Sequence, residues 1–251
     1  MYFFYYTLIY SLNPLFFNMK SLNLDSLNPN IYLCNVKTKD THIQDLISEG
    51  EHVMLDFKFE ISDSRRIARS LCAFANTQGG RLLVGVKDNG AIAGVRSDEE
   101  QYMIQAAAEM YCQPQVEYET HEWEINGKTV LEVVIPQDTK VKHKAPDNQG
   151  EYKVYIRVAD ENILADPILL KIWKRQRNEI PIKLSFTDKE QILLSYLTEN
   201  KEITLDEYAE MSGMKRRMAE KILIDFILAG TITMRTTNAG TFFSLTANAD
   251  R

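Results

Sequence analysis

A chain of 251 residues fits one large domain or two modest ones, and 45% hydrophobic content is enough to bury a core. The formal net charge of -6 excludes a general, charge-driven nucleic-acid binder, so any such site must be a local basic patch. The three cysteines, Cys34, Cys72 and Cys112, are scattered with no C-x-x-C, which argues against a cysteine zinc site and suits reduced thiols in a cytoplasm.

The first 17 residues are apolar and aromatic. They lack a positive n-region and a small-residue cleavage site, and Ser11, Asn13 and Pro14 interrupt them. A membrane span needs about 20 apolar residues. The expectation is an over-long start, with Met19 as the natural first residue, or a loosely packed extension over 1–40, and no membrane function. Ile43, Leu46 and Ile47 then mark a short helix that ends at Gly50. His52 to Lys58 reads as a strand. Ser62, Asp63 or Ser64 can cap a helix from Ser64 to Asn76, whose apolar face carries Ile67, Leu71, Phe74 and Ala75. Gly79-Gly80 stops it, because glycine tolerates the left-handed backbone of a helix exit. Leu82 to Val86 is long enough for a buried strand, and Lys87-Asp88-Asn89-Gly90 is a turn by composition.

Asp98 to Cys112 predicts a helix with Tyr102, Ile104, Ala108 and Tyr111 among its apolar positions, ended by Pro114. Gln115–Glu124 and Lys128–Ile135 form a hairpin about Asn126-Gly127. A polar loop over 140–150 precedes a strand from Tyr152 to Val158. Asp166-Pro167 opens a helix in capping and first-turn positions, and that helix carries Lys171, Lys174, Arg175 and Arg177. Pro181 marks a linker. Thr187 and Glu190 form a capping box for a helix with Ile192, Leu193, Tyr196 and Leu197 inward. A short helix over Leu205–Met211 and a turn at Ser212-Gly213 follow. A third helix begins at Met214 or Lys215, with Met218, Ile222, Leu223, Phe226 and Ile227 apolar. Strands over Thr231–Arg235 and Thr241–Leu245 complete the order of a winged helix, in which Lys215, Arg216 and Arg217 would enter a DNA groove first.

The run Gly50-Glu51…Asp56-Phe57-Lys58, then Ala73-Phe74-Ala75-Asn76-Thr77-Gln78-Gly79-Gly80, then Gly85-Val86-Lys87-Asp88-Asn89-Gly90 resembles the Schlafen-type AlbA-like domain once called divergent AAA. The likeness extends over about 41–178. It implies an α/β (α+β) fold: a mixed-sheet AlbA-like domain over 41–180, followed here by a small winged helix-turn-helix domain over 184–247. It also implies nucleic-acid binding, and the expected role is a transcriptional regulator.

In eukaryotic Schlafen relatives the residues at the positions of Glu51, Asp56 and Asp88 form a metal-dependent ribonuclease site. Magnesium or manganese prefers such hard oxygen ligands. Asp56 stands where the family usually has Glu, one methylene shorter. Glu51 and Asp56 are also five apart and would face opposite ways on one continuous strand, converging only if the chain bends near Gly50. The competing expectation is structural, with these carboxylates paired to bases such as Lys58.

Candidate nucleic-acid contacts are Lys58, Lys140, Lys142, His143 and Lys144, and Lys153 and Arg157 on the next strand with Tyr152 and Tyr155 interleaved. Bases take phosphates and aromatics stack on unpaired bases. The strand Tyr155-Ile156-Arg157-Val158 resembles a tyrosine-arginine strand of the family. The helix from Lys171 to Arg177 extends the positive surface, and Lys215, Arg216 and Arg217 add a second patch. The stretch from Glu199 to Glu210 is acidic and would repel DNA, so a protein-contact or homodimer role for the winged helix stays open. Gly80 to Gly85 lacks the Lys-Ser/Thr of a P-loop and precedes a strand, which argues against ATP binding. His42, His52, His121 and His143 form no metal spacing. Binding requires no cofactor on this reading.

Overall fold

The computed structural model describes residues 39–95, 98–179, 181, 182, 184 and 186–246. The expectations for the N-terminal extension, the Met19 start and Cys34 lie outside the described residues. The described chain starts with helix α1 (Lys39–Glu49). Strands β1 (Leu55–Lys58), β2 (Gly80–Val84), β3 (Glu119–Ile125) and β4 (Lys128–Ile135) form a sheet in the order β1-β2-β4-β3, with β1 and β2 parallel and the other pairs antiparallel. A mixed sheet of this kind can bury both faces. On one side Leu55, Phe57, Leu83 and Val130 meet Ile43 of α1. On the other, Leu82, Val84, Leu131 and Val133 meet helices α2 (Ser64–Asn76) and α3 (Glu99–Met110).

Helix α2 lies between two sheets. Its second face is covered by β5 (Lys144–Pro146), β6 (Tyr152–Val158) and β7 (Glu161–Leu164), which pair antiparallel in that order. Ser70 to Asn76 are therefore buried all round, not along a single stripe. Asp63 is the cap, accepting from the Arg65 amide at 2.8 Å. At the other end Asn76 donates from Nδ2 to the carbonyls of His143 and Tyr155 and accepts from the His143 amide. Those three bonds pin the second sheet to the helix. Gly79 takes φ +73, and a Cβ there would stand 2.8 Å from the Ile135 carbonyl.

Several expectations change. The first strand starts at Leu55, because His52 and Leu55 exchange backbone bonds at 2.9 and 3.1 Å across a tight turn. The loop over 140–150 contains β5, and β7 returns after Ala159-Asp160, which lacks a glycine signal; Ala159 itself adopts φ 52. Tyr102 is 69% exposed and Met218 53%, so neither is a core position. Finally, α4 (Pro167–Arg177), expected to close the first domain, buries Ile168 and Ile172 among Leu193, Leu197, Leu223 and Phe226 of the C-terminal core.

That C-terminal module comprises α5 (Asp188–Glu199), α6 (Leu205–Ser212), α7 (Arg216–Leu228) and the antiparallel hairpin β8 (Ile232–Thr237) and β9 (Gly240–Leu245). Thr187 and Thr204 each anchor a reciprocal capping box, with Glu190 and Glu207. Gly213 supplies the left-handed exit of α6 at φ 65. No helix among the described residues is long and apolar enough to cross a membrane.

Candidate nucleic-acid interface

The segment after β4 is built by short side-chain-to-backbone bonds. Asp138 Oδ1 accepts from the amides of Lys140 and Val141 at 2.7 and 3.1 Å. Burial pushes its carboxyl up, but those two amides and the His143 ring together hold it below the usual carboxylate range. Lys142 Nζ donates to the carbonyls of Asn76 and Asp138, and sits 4.5 Å from the centre of the Trp173 ring on α4. This is cation–π distance. Burial pushes the Lys142 ammonium pKa down, and the Asp138 charge opposes that.

The result is a groove of about 720 Å³ between this segment and α4. Lys140, Lys142 and Lys144 line one wall, Lys174 and Arg177 the other, with Leu170 and Trp173 exposed to the space between. Glu179 is the acidic residue among its lining. Five cations against one carboxylate make this a local positive patch on a chain of net charge -6. Trp173 is the component that sequence reasoning missed. The helical basic run was legible, but nothing in the sequence set the indole against Lys142.

Other candidates go elsewhere. Arg157 is 3% exposed and points inward, and Tyr155 is 7% exposed in the core against Arg69. Both were expected on the surface; the alternation of β6 turns them toward α2, because that face is covered by the helix. His143 is likewise buried, bonded through Nδ1 to the Pro114 carbonyl and through Nε2 to Asp138. Lys153 is exposed on the face opposite Val154, which lines the groove, and so lies outside it. Lys58 Nζ is 2.8 Å from Asp56 Oδ2. Lys215 and Arg217 border a second groove, between α4 and α7, while Arg216 turns to Asp206 at 2.7 Å.

The carboxylates divide. The turn over 51–54 brings Glu51 back beside β1, where its Oε1 accepts from the Phe57 amide at 2.8 Å and its side chain meets Asp56. Burial pushes the Glu51 carboxyl up, the Phe57 amide opposes this, and the neighbouring Asp56 adds to the rise. Asp56 is 3% exposed and held by Arg157 at 3.0 Å and by Lys58. Asp88 is exposed in the turn after β2. Among the described residues no three His, Cys, Asp or Glu side chains are grouped to hold a metal ion. Asp56, Lys58, Arg66, Arg69 and Arg157 do share a mixed-charge cleft of about 490 Å³.

Residues 51–166 match the protein-family model described as Schlafen, AlbA_2. Among solved structures, the DIP2311 protein from Corynebacterium diphtheriae is 17% identical at TM-score 0.40, covering 55% of this chain and 33% of its own. The N-terminal domain of a protein of Nitrosomonas europaea described as ATP-dependent DNA helicase RecG-related is 21% identical at TM-score 0.34, covering 52% of this chain and 96% of its own. The chain therefore spans about a third of the first of these structures.

Proposed function

We propose, from the match of residues 51–166 to the Schlafen, AlbA_2 family model and the groove described above, that the protein binds nucleic acid through the groove between the 139–144 segment and α4, and acts as a regulator by occupying it. The observation that carries this reading is the concentration of Lys140, Lys142, Lys144, Lys174 and Arg177 around one groove of an acidic chain. Phosphate contacts of this kind dominate affinity and make it salt-dependent. Four of the five cations are exposed, and the fifth, Lys142, is held over Trp173. Control of transcription is the role expected of such a binder.

The test replaces Lys140, Lys144 and Arg177 by Gln and follows fluorescence anisotropy of labelled DNA and RNA across a salt series. Three lost phosphate contacts are expected to flatten the slope of log affinity against log salt by about 2 to 3. An unchanged slope would remove the groove from the interface.

A metal-dependent nuclease is the second reading, and the meeting of Glu51 with Asp56 favours it. Against it, Asp56 is already neutralised by two cations and Asp88 stands apart in its turn. These side chains do not fit a divalent ion as they are arranged. Incubation of labelled RNA with manganese, magnesium or chelator decides between the readings: cleavage that Asp88→Asn abolishes would establish the enzyme.

A further inference from the structure

In a helix-turn-helix module the third helix enters the major groove and the helix before it crosses the DNA backbone. The C-terminal module is arranged against both contacts. The face of α7 carrying the exposed Arg217, Met218 and Lys221 and the buried Ile224 is one wall of a groove of about 580 Å³. The other wall is α4, with Lys171, Lys174 and Arg175. Ion pairs Lys171–Glu220 and Arg175–Asp225 join the walls, and Ile168 and Ile172 of α4 share the core of the module. Helix α4 thus covers the middle of α7, where Glu220, Ile224 and Asp225 are buried, and leaves Arg217, Met218 and Lys221 open beside it. Helix α6, which would lie over the backbone, exposes Asp206, Glu207 and Glu210 to it.

The same groove suits a thinner ligand. Its floor is apolar, with Met218 exposed to it and Ile224 almost fully covered. Lys174, Lys215, Arg217 and Lys221 at its rim have no acidic partner among the described residues. Lys174 also lines the groove beside Trp173, so the two grooves meet across α4. Cations flanking apolar and aromatic surface are the components that hold a single strand, taking phosphates at the edge and unpaired bases on the floor.

Resting on the nucleic-acid reading above, we propose that the ligand is a single strand that runs from the 139–144 segment across α4 into the α4–α7 groove. The C-terminal module then extends a single-strand track and does not read duplex DNA. Phosphates and base faces are common to RNA and DNA, so both backbones serve as probes.

The experiment uses the full chain with labelled oligo-dT and oligo-U of about 20 nucleotides, the same of about 4, and a mixed duplex of about 20 base pairs. The long single strands are expected to bind at least tenfold more tightly than the duplex. Replacing Lys215, Arg217 and Lys221 by Gln is expected to weaken the long strands about tenfold and to leave the short ones unchanged, because these fit within the first groove. Trp173→Leu is expected to weaken long and short strands alike. Tighter binding to the duplex, or a triple variant that matches the parent on long strands, overturns the single-strand track. If the triple variant is silent while the Lys140, Lys144 and Arg177 variant still loses affinity, the first groove stands and the track across α4 falls. Loss in neither variant overturns both readings.

Discussion

Arg157 carries a charge where its side chain is only 1% exposed, so its neighbours must replace water. Nη2 donates to Asp56 Oδ1 and to the Leu55 carbonyl, Nη1 donates to Asn162, and the guanidinium lies 5.1 Å from the centre of the Phe74 ring. It ties β6 to β1 across the end of α2. Removing one partner of a buried pair leaves the other uncompensated, so Arg157→Ala is expected to cost about 3–5 kcal/mol in urea denaturation. The protein that remains folded should keep its nucleic-acid affinity; normal stability with lost affinity would return Arg157 to the binding surface. Glu51 makes a second prediction. Its carboxyl is pushed up by burial, so the folded state favours its protonated form. That contribution is complete below the unfolded pKa and is lost as pH rises through the higher folded value. Glu51→Gln should therefore melt higher than the parent at neutral pH, and the difference should shrink on titration toward about pH 4.

At the scale of the element, α2 decides the architecture. An amphipathic helix would need one covering layer, but α2 has a sheet on each side and buries Ser70, Asn76 and the alanines between them. Its exit admits no bulk. A Cβ at Gly80 would stand 2.8 Å from the Met54 carbonyl and press on the Phe74 ring, while the backbone there is ordinary. Gly80→Ala should cost about 1–3 kcal/mol through overpacking alone, read as a lower midpoint in chemical denaturation. A neutral result would mean that the strand and helix part more easily than their packing implies. The Phe74-to-Gly80 motif is thus explained by close approach, amide bonding and a left-handed turn, with no phosphate required.

At the scale of the whole molecule, α4 joins the two parts. It shares its apolar face with the C-terminal core and its polar face with the groove, although the family match ends at residue 166. A chain truncated after Asn178 would expose Ile168 and Ile172, each contributing about 1.5–3 kcal/mol when buried. It is expected to self-associate on size-exclusion chromatography, whereas a chain truncated after Ala165 is expected to elute as a smaller monomer. Equal behaviour of the two would show that α4 folds onto the first part unaided.

Much of this protein was determined locally. The cap at Asp63, the boxes at Thr187 and Thr204, the turns at Asn126-Gly127 and Gly213, and the opening of α4 at Asp166-Pro167 follow from residues acting on their own backbone within a few positions; the bounds of α2, β4 and β6 follow from local pattern and turn residues. The basic run of α4 and the lysines at 140, 142 and 144 were equally plain, because charge is carried by residue type. The tertiary structure alone decided which charges reach water. It turned Arg157 and Tyr155 inward, since the face of β6 that covers α2 is set by sheet stacking. It folded Glu51 back beside Asp56 through a turn with no strong sequence signal, and left Asp88 apart. It also placed Trp173 under Lys142 and α4 against α7, contacts between residues far apart in the chain that no periodicity encodes.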